Sequence, residues 1–231
     1  MNRPILISIL SDTHGLHEKI KIRPCDFLII CGDISKRGKK GSLKGFKEWL
    51  NNVPADNIIL VFGNHEKKII KELKEWLKDI PKLYILNDSI QIINNIQFLG
   101  FSFPINEDIV EWVNNTVIKE LPLIIISHEP PYGILDLKQT NSTKNNKKYK
   151  HGGSNILLKY IISLQPQLCC FGHCHYSTGT KRYGETLFVN AAIVNEFGQL
   201  SKLPKELICF NKYFFDAVWS DSVKDRYFLF E

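Results

Sequence analysis

The sequence predicts an α/β protein built on a mixed sheet system rather than one purely parallel sheet. Three observations lead there. Six short apolar segments are continuous and mostly β-branched, as strands buried on both faces of a sheet are. Segments of helical period lie between them, which implies right-handed crossovers. Two further pairs of strand-like segments flank two-residue turns, as hairpins do.

The predicted buried strands are Ile5–Leu10, Phe27–Cys31, Ile58–Phe62, Ile124–Ile126, Leu168–Phe171 and Leu187–Val189. A first apolar helical stripe runs through Leu43, Phe46, Trp49 and Leu50. A second runs through Ile69, Ile70, Leu73, Trp76, Leu77 and Ile80, and a third through Ile156, Leu157, Tyr160, Ile161 and Leu164. Ser154 stands before the third as its N-cap, and His151, opening His-Gly-Gly-Ser, reads as structural. The hairpins are Ser89–Ile93 with Ile96–Phe101 around Asn94-Asn95, and Lys181–Tyr183 with Thr186–Val189 around Gly184-Glu185. Strand-like segments recur at Leu207–Phe210 and Tyr213–Val218. There is no internal repeat and no linker, so residues 1–231 form one domain. The polar, basic stretch Thr140–Lys150 is expected to be a solvated loop. A sharper reading makes it a lid or substrate-contacting loop, since it lies between two of the motifs below.

Composition narrows the class. The 231 residues are 44% hydrophobic and 23% charged, too apolar for a disordered chain and long enough for a sizeable core. Six cysteines are sparse for a disulfide scaffold of this length. No apolar run approaches the roughly 18 residues that span a bilayer, and no signal peptide is evident, so a cytoplasmic protein is expected. A net charge of +6 raises the possibility of nucleic-acid binding, but no basic–aromatic recognition motif accompanies it.

The chemistry lies at the strand ends. Asp12-Thr13-His14 follows the first strand, Gly32-Asp33 the second, and Gly63-Asn64-His65-Glu66 the third. Ser127-His128 follows the fourth, Gly172-His173-Cys174-His175 the fifth, and Asn190 closes the sixth. Carboxyl ends of strands form the natural crevice of an open α/β sheet, so these residues should converge. Oxygen and imidazole donors of this kind suit borderline divalent metals. Asp12, His14, Asp33, Asn64, His128, His173 and His175 are too many for one ion, but two ions share them if Asp33 bridges. Two ions about 3.5–4 Å apart can clamp the attacking and leaving oxygens of phosphoryl transfer. Facing only two aspartates and one hydroxide, such a pair keeps a positive surplus that attracts a phosphate anion.

Taken singly, each motif has a plainer reading. A lone Asp or His after a strand is commonly a turn or cap residue. Glu66 reads as a residue of a first helical turn. Gly-His-Cys-His could share a zinc ion with Cys169 and Cys170, but strand alternation points those two to opposite faces. His17 could support the metal ligands from behind but reads rather as a loop residue, and Cys174 reads as facing away from the metals.

In order, the five motifs D-x-H, G-D, G-N-H-E, a lone His and G-H-x-H resemble the calcineurin-like metallophosphoesterase superfamily. The resemblance runs from Asp12 to about Asn190. The stretches Ser127–Asp136, Phe171–His175 and Phe188–Ala192 are most similar to the branch of metallophosphoesterase-domain-containing proteins, which includes phosphodiesterases acting on cyclic nucleotides. The resemblance implies two mixed β-sheets packed as a sandwich flanked by helices, a four-layer αββα fold with a dimetal site at its edge. It assigns Asp12, His14 and His175 to a first metal, with Asp33 bridging. Asn64, His128 and His173 go to a second, Asn64 also reaching a phosphate oxygen. A metal-bridging hydroxide would attack phosphorus, and His65 would protonate the leaving oxygen or stabilise charge on the phosphoryl group. The implied cofactors are two divalent ions, manganese first, with iron, zinc or nickel as alternatives. The implied partner is a small phosphoester, with no nucleic acid beyond a nucleotide substrate and no membrane.

One departure matters. The superfamily's protein Ser/Thr phosphatases read G-D-x-x-D-R-G where this chain reads Gly32-Asp33-Ile34-Ser35-Lys36-Arg37-Gly38. Lys36 replaces the carboxylate that would orient His65, while Arg37 keeps the place of a phosphate-binding arginine. The loop of Lys36, Arg37, Lys39 and Lys40 otherwise reads as solvated surface. Alternatives to a phosphodiesterase are a protein Ser/Thr phosphatase, a general phosphomonoesterase, or a noncatalytic interaction module of the same fold.

Overall fold

A computed structural model describes residues 3–105, 107–140, 148–210 and 213–216. The continuous apolar segments pair into two six-stranded mixed sheets. In the first, β1 (Ile5–Leu10), β2 (Cys25–Cys31), β3 (Ala55–Val61) and β4 (Leu83–Ile85) run parallel. The late segments β13 (Lys205–Phe210) and β14 (Tyr213–Asp216) extend it antiparallel beyond β1. In the second sheet β6 (Ile96–Gly100), β7 (Leu123–Ile126), β10 (Leu168–Phe171) and β12 (Thr186–Asn190) are parallel neighbours. Hairpin partners β5 (Ser89–Ile93) and β11 (Gly179–Tyr183) close its two edges. A separate two-stranded ribbon joins β8 (Leu137–Thr140) to β9 (Lys148–His151).

Why the strands are apolar throughout follows from the layers. In β2, Phe27, Ile29 and Cys31 enter a core between the sheets, while Leu28 and Ile30 enter a second core on the outer face. In β10, Leu168 and Cys170 face the inter-sheet core while Cys169 and Phe171 face a third, so the two cysteines do lie on opposite faces. The outer cores are covered by helices: α1 (Phe46–Asn52) and α2 (Ile70–Leu77) on the first sheet, α3 (Val110–Thr116) and α4 (Asn155–Leu164) on the second. The result is the four-layer αββα sandwich that the motifs implied. Each fully buried Ile or Leu contributes about 1.5–3 kcal/mol, so both faces of both sheets are driven inward.

Three expectations need revising. Thr140–Lys150 is not a loop at its ends: Thr140 closes β8 and Lys148–Lys150 belong to β9, while residues 141–147 lie outside the described residues. Polar sequence hid these strands because their side chains are exposed or half-buried. The first helical stripe breaks at Gly45, whose φ of 74° leaves Leu43 in a separate 3-10 turn. His17 is no loop residue. It is buried, its Nε2 lies 2.9 Å from the Lys44 carbonyl, and its ring meets Phe46 edge-on. The predicted strand through Val218 is described only to Asp216. All six cysteines are free, and no helix among the described residues is long and apolar enough to cross a membrane.

The parallel strands of both sheets end on the same side, and there the sheets are laced together. Ser11 N–H donates to the Ala191 carbonyl at 2.9 Å, and Ile193 N–H to the Ser11 carbonyl at 3.2 Å.

Candidate metal centre

Backbone geometry at the strand ends is unusual for the residues it carries. Asp12, His14, Asp33 and His173 have φ of 58°, 45°, 51° and 65°. Non-glycine residues rarely enter this left-handed region, and each costs about 1–3 kcal/mol and persists only where its surroundings enforce it. Four of the seven predicted metal-binding residues carry that strain, so the fold holds their side chains where local preference would not. Glycines make room beside them. A Cβ at Gly63 would collide with Asp33, and one at Gly172 with Ser11 and Asp12.

Asp12, His14 and His175 bring ligand atoms within 4.8 Å of one another, and so do Asp12, Asp33 and His128. Asp12 links the two sheets: it accepts His173 N–H at 2.9 Å, and its Oδ1 lies 3.0 Å from His175 Nε2. Asp33 accepts His65 N–H at 2.9 Å and lies 3.4 Å from His128 Nε2. Asn64 Oδ1 is 3.0 Å from the same His128 nitrogen. His173 meets His128 edge-on with centroids 4.9 Å apart, but its Nε2 meets Lys138 Nζ at 2.5 Å rather than another ligand.

Three imidazoles share one arrangement. His14 Nδ1 faces the Ser35 carbonyl at 3.3 Å, His128 Nδ1 the Cys31 carbonyl at 2.8 Å, and His175 Nδ1 the Asn195 carbonyl at 3.2 Å. A ring nitrogen that donates to a carbonyl leaves Nε2 with its lone pair free, which is how metal-ligating histidines are oriented. Here those Nε2 atoms face two buried carboxylates, Asp12 at 0% and Asp33 at 2% exposure. The donor set therefore fits divalent cations of the Mn, Fe, Zn or Ni type.

The electrostatics reflect this crowding. Burial works to raise the Asp12 pKa, but the His175 hydrogen bond and the nearby imidazoles outweigh it and hold the carboxyl below its usual range. Asp33 is likewise lowered, burial being overcome by His128. Burial alone would lower His128, yet the Asp33 charge and hydrogen bond raise it to about 9. His173 goes the other way, to about 3, through burial first and then the charges of His128 and Lys138.

His65 is oriented without a carboxylate at position 36. Its Nδ1 sits between Arg37 N–H at 3.1 Å and the Ser35 carbonyl at 3.0 Å, so the backbone of the Ser35–Arg37 turn takes over that task. Its ring lies 4.7 Å from that of His14. Arg37 thus reaches the site through its main chain, while its side chain and those of Lys36, Lys39 and Lys40 are exposed. His151 bonds Asp136 at 2.8 Å, Ser154 caps α4 through Leu157 N–H, and Cys174 Sγ donates to the Asp136 carbonyl. Asn190 clamps the sheet edge, donating to the Leu135 and Cys174 carbonyls at 3.0 and 2.9 Å.

Two residues carry more than the sequence signalled. Glu66 does not begin a helix; it is fully buried and accepts from Asp33 N–H, Ser35 N–H, the Ser35 hydroxyl and Gly63 N–H at 2.6–3.0 Å. It therefore ties the Gly-Asp loop to the Gly-Asn-His loop. The acid in G-N-H-E was the available signal. Lys138 had none, standing in a polar run.

A four-layer αββα sandwich with buried Asp and His gathered where both sheets end defines a metallophosphoesterase scaffold. The chain belongs to the calcineurin-like phosphoesterase family, whose model matches residues 5–177. Metallophosphoesterase domain-containing protein 1 of Homo sapiens is 29% identical over 219 residues, covering 80% of this chain and 64% of that protein. The chain thus spans less than two thirds of that relative's length. Among solved structures, an archaeal phosphodiesterase is similar with a TM-score of 0.51 at 20% identity, covering 93% of this chain and 100% of that one. Phosphopantetheinyl hydrolase from Mycobacterium tuberculosis has a TM-score of 0.57 at 12% identity, covering 83% and 90%. At such identities the likeness is one of fold.

Proposed function

We propose that this chain is a phosphoric ester hydrolase that uses two divalent ions, manganese foremost, to cleave small phosphodiesters such as cyclic nucleotides. The unit is one metallophosphoesterase domain over residues 1–231, working in a reducing cytoplasm in keeping with its free cysteines. The observation that carries the reading is the set of three histidines, each tied at Nδ1 to a backbone carbonyl and turned with Nε2 towards buried Asp12 and Asp33. Asp12, His14 and His175 would hold one ion, Asn64, His128 and His173 the other, with Asp33 between them. Bound there, the ions would polarise the phosphoryl oxygens and acidify a water to near neutrality.

The chain's own groups do the rest. Asn64 offers its amide to a phosphoryl oxygen. His65, fixed at Nδ1 by the Ser35–Arg37 backbone, delivers a proton from Nε2 to the leaving oxygen. Arg37, on the same turn, would turn its exposed side chain to the substrate's outer charge. Two carboxylates, Asp12 and Asp33, offset only part of the bound cationic charge, so the site attracts an anion.

The test compares hydrolysis of a generic phosphomonoester and a phosphodiester by manganese-loaded protein. Faster diester turnover supports the reading. Faster monoester turnover assigns the chain to the phosphomonoesterases. No turnover of either, with both ions bound, removes the enzyme reading in favour of a noncatalytic module.

A further inference from the structure

We propose that Lys138 is a substrate-contacting residue whose ammonium binds a non-bridging oxygen of the phosphoester lying beside His173. The inference rests on the phosphoester reading above and adds a residue to it.

The lysine is built into the site. β8 is fastened against the segment after His173 by a reciprocal pair: Leu137 N–H donates to Ser177 Oγ at 2.9 Å, and the Ser177 hydroxyl donates to the Leu137 carbonyl at 3.1 Å. The next residue, Lys138, sends its stem across Gly152, where a Cβ would lie 2.9 Å from Lys138 Cγ and closer still to the carbons beyond. Bare backbone at Gly152 therefore lets the stem lie flat and reach inward. Gly152 is itself anchored, its N–H donating to the Asp136 carbonyl at 2.9 Å. The ammonium ends 2.5 Å from His173 Nε2.

That contact is provisional in chemical terms. An ammonium has three donors and no acceptor, and His173 Nε2 has a single lone pair. When that lone pair is given to a cation, Lys138 loses its acceptor and needs another within reach. Among the described residues no carboxylate forms an ion pair with Lys138; the half-buried Glu129 only senses its charge. The ammonium borders a cavity of about 430 Å³ that it shares with His173 and His175. A phosphoryl oxygen is the acceptor that the reaction brings to this place, and an anchored lysine is a common point charge for phosphate.

The position also divides labour. His65 stands against His14, whereas Lys138 stands against His173, so the proton donor and this cation serve different oxygens. Losing His65 should penalise esters with poor leaving groups most. Losing Lys138 should penalise all leaving groups alike.

The experiment uses the metal-loaded full chain. Inorganic phosphate binding is measured by calorimetry, KM and kcat with diesters of graded leaving groups, and metal content by elemental analysis. In Lys138→Met, phosphate Kd and KM should rise roughly 10- to 100-fold, the range for a hydrogen bond to a charged group. Metal content and the leaving-group dependence should stay as in the wild type. Lys138→Arg should recover most of the loss, and Gly152→Ala, which pushes the stem aside, should fall between. Wild-type phosphate affinity in Lys138→Met overturns the proposal, as does weakened affinity that merely follows lost metal. If the wild type binds phosphate through Lys138 yet cleaves no ester, the hydrolase reading fails while this one stands.

Discussion

On one flank of the site, Asp12, His14 and His175 bring three ligand atoms within 4.8 Å, and both imidazoles are fixed by backbone carbonyls. On the other flank His128 is fixed in the same way, but His173 meets the Lys138 ammonium instead of a further ligand. The residue types are alike; their outer partners differ. Rigid partners prepare the first flank to hold a cation at little cost in rearrangement. On the proposed assignment the second flank would have to exchange a lysine before it is complete, which would leave a positive charge where a phosphoester is expected to lie.

On the proposed assignment Asp33 would lie between the two ions, so changing it should give the largest effect. Asp33→Asn should abolish metal-dependent hydrolysis and lower bound metal below two ions per chain, read by elemental analysis. Retained stoichiometry would show that the flanks do not share this carboxylate. Removing a group that belongs to neither flank's metal set should separate chemistry from metal binding. His65→Ala should lower turnover roughly 10²–10⁴-fold with metal content unchanged.

Acidity distinguishes the flanks next. His128 is raised to about 9 from a usual 6.5, so a cation entering the second flank must displace a proton below that pH. Apparent affinity there should climb with pH, by at most about tenfold per unit, and level off near 9. In the metal-free protein the sign reverses. A raised pKa means that the charged His128–Asp33 contact stabilises the fold fully below 6.5 and is lost as pH rises through about 9. Metal-free Tm should therefore fall across that interval while metal-loaded Tm does not.

The smallest effect lies outside the site. Ser154→Ala removes the cap of α4 and should cost about 1 kcal/mol in thermal unfolding, without altering hydrolysis.

Much of this molecule could be read before folding was known, for definable reasons. Strands such as β2 and β10 bury both faces, so their apolar runs are unbroken and their limits lie within two residues of prediction. The chemical residues sit directly at their ends, where chain order alone announces convergence. What stayed hidden has weak or misleading local signals. The β8–β9 ribbon is polar because it faces solvent, so neither it nor Lys138 stands out. Among the described side chains of the short helix α3, only the apolar Val113 is fully buried. Glu66 resembles a helix-start acid until its four donors, from residues 33, 35 and 63, are seen. His17 looks like loop because its partners, Lys44 and Phe46, are distant in sequence. Long-range pairing, not propensity, decides each of these.

The most direct test titrates metal-free protein with manganese while hydrolysis of a generic phosphodiester is followed against ions bound. The two-flank account predicts one tight and one weaker site per chain, with hydrolysis appearing as the weaker site fills. Saturation at one ion with full activity, or activity with no ion bound, would contradict it.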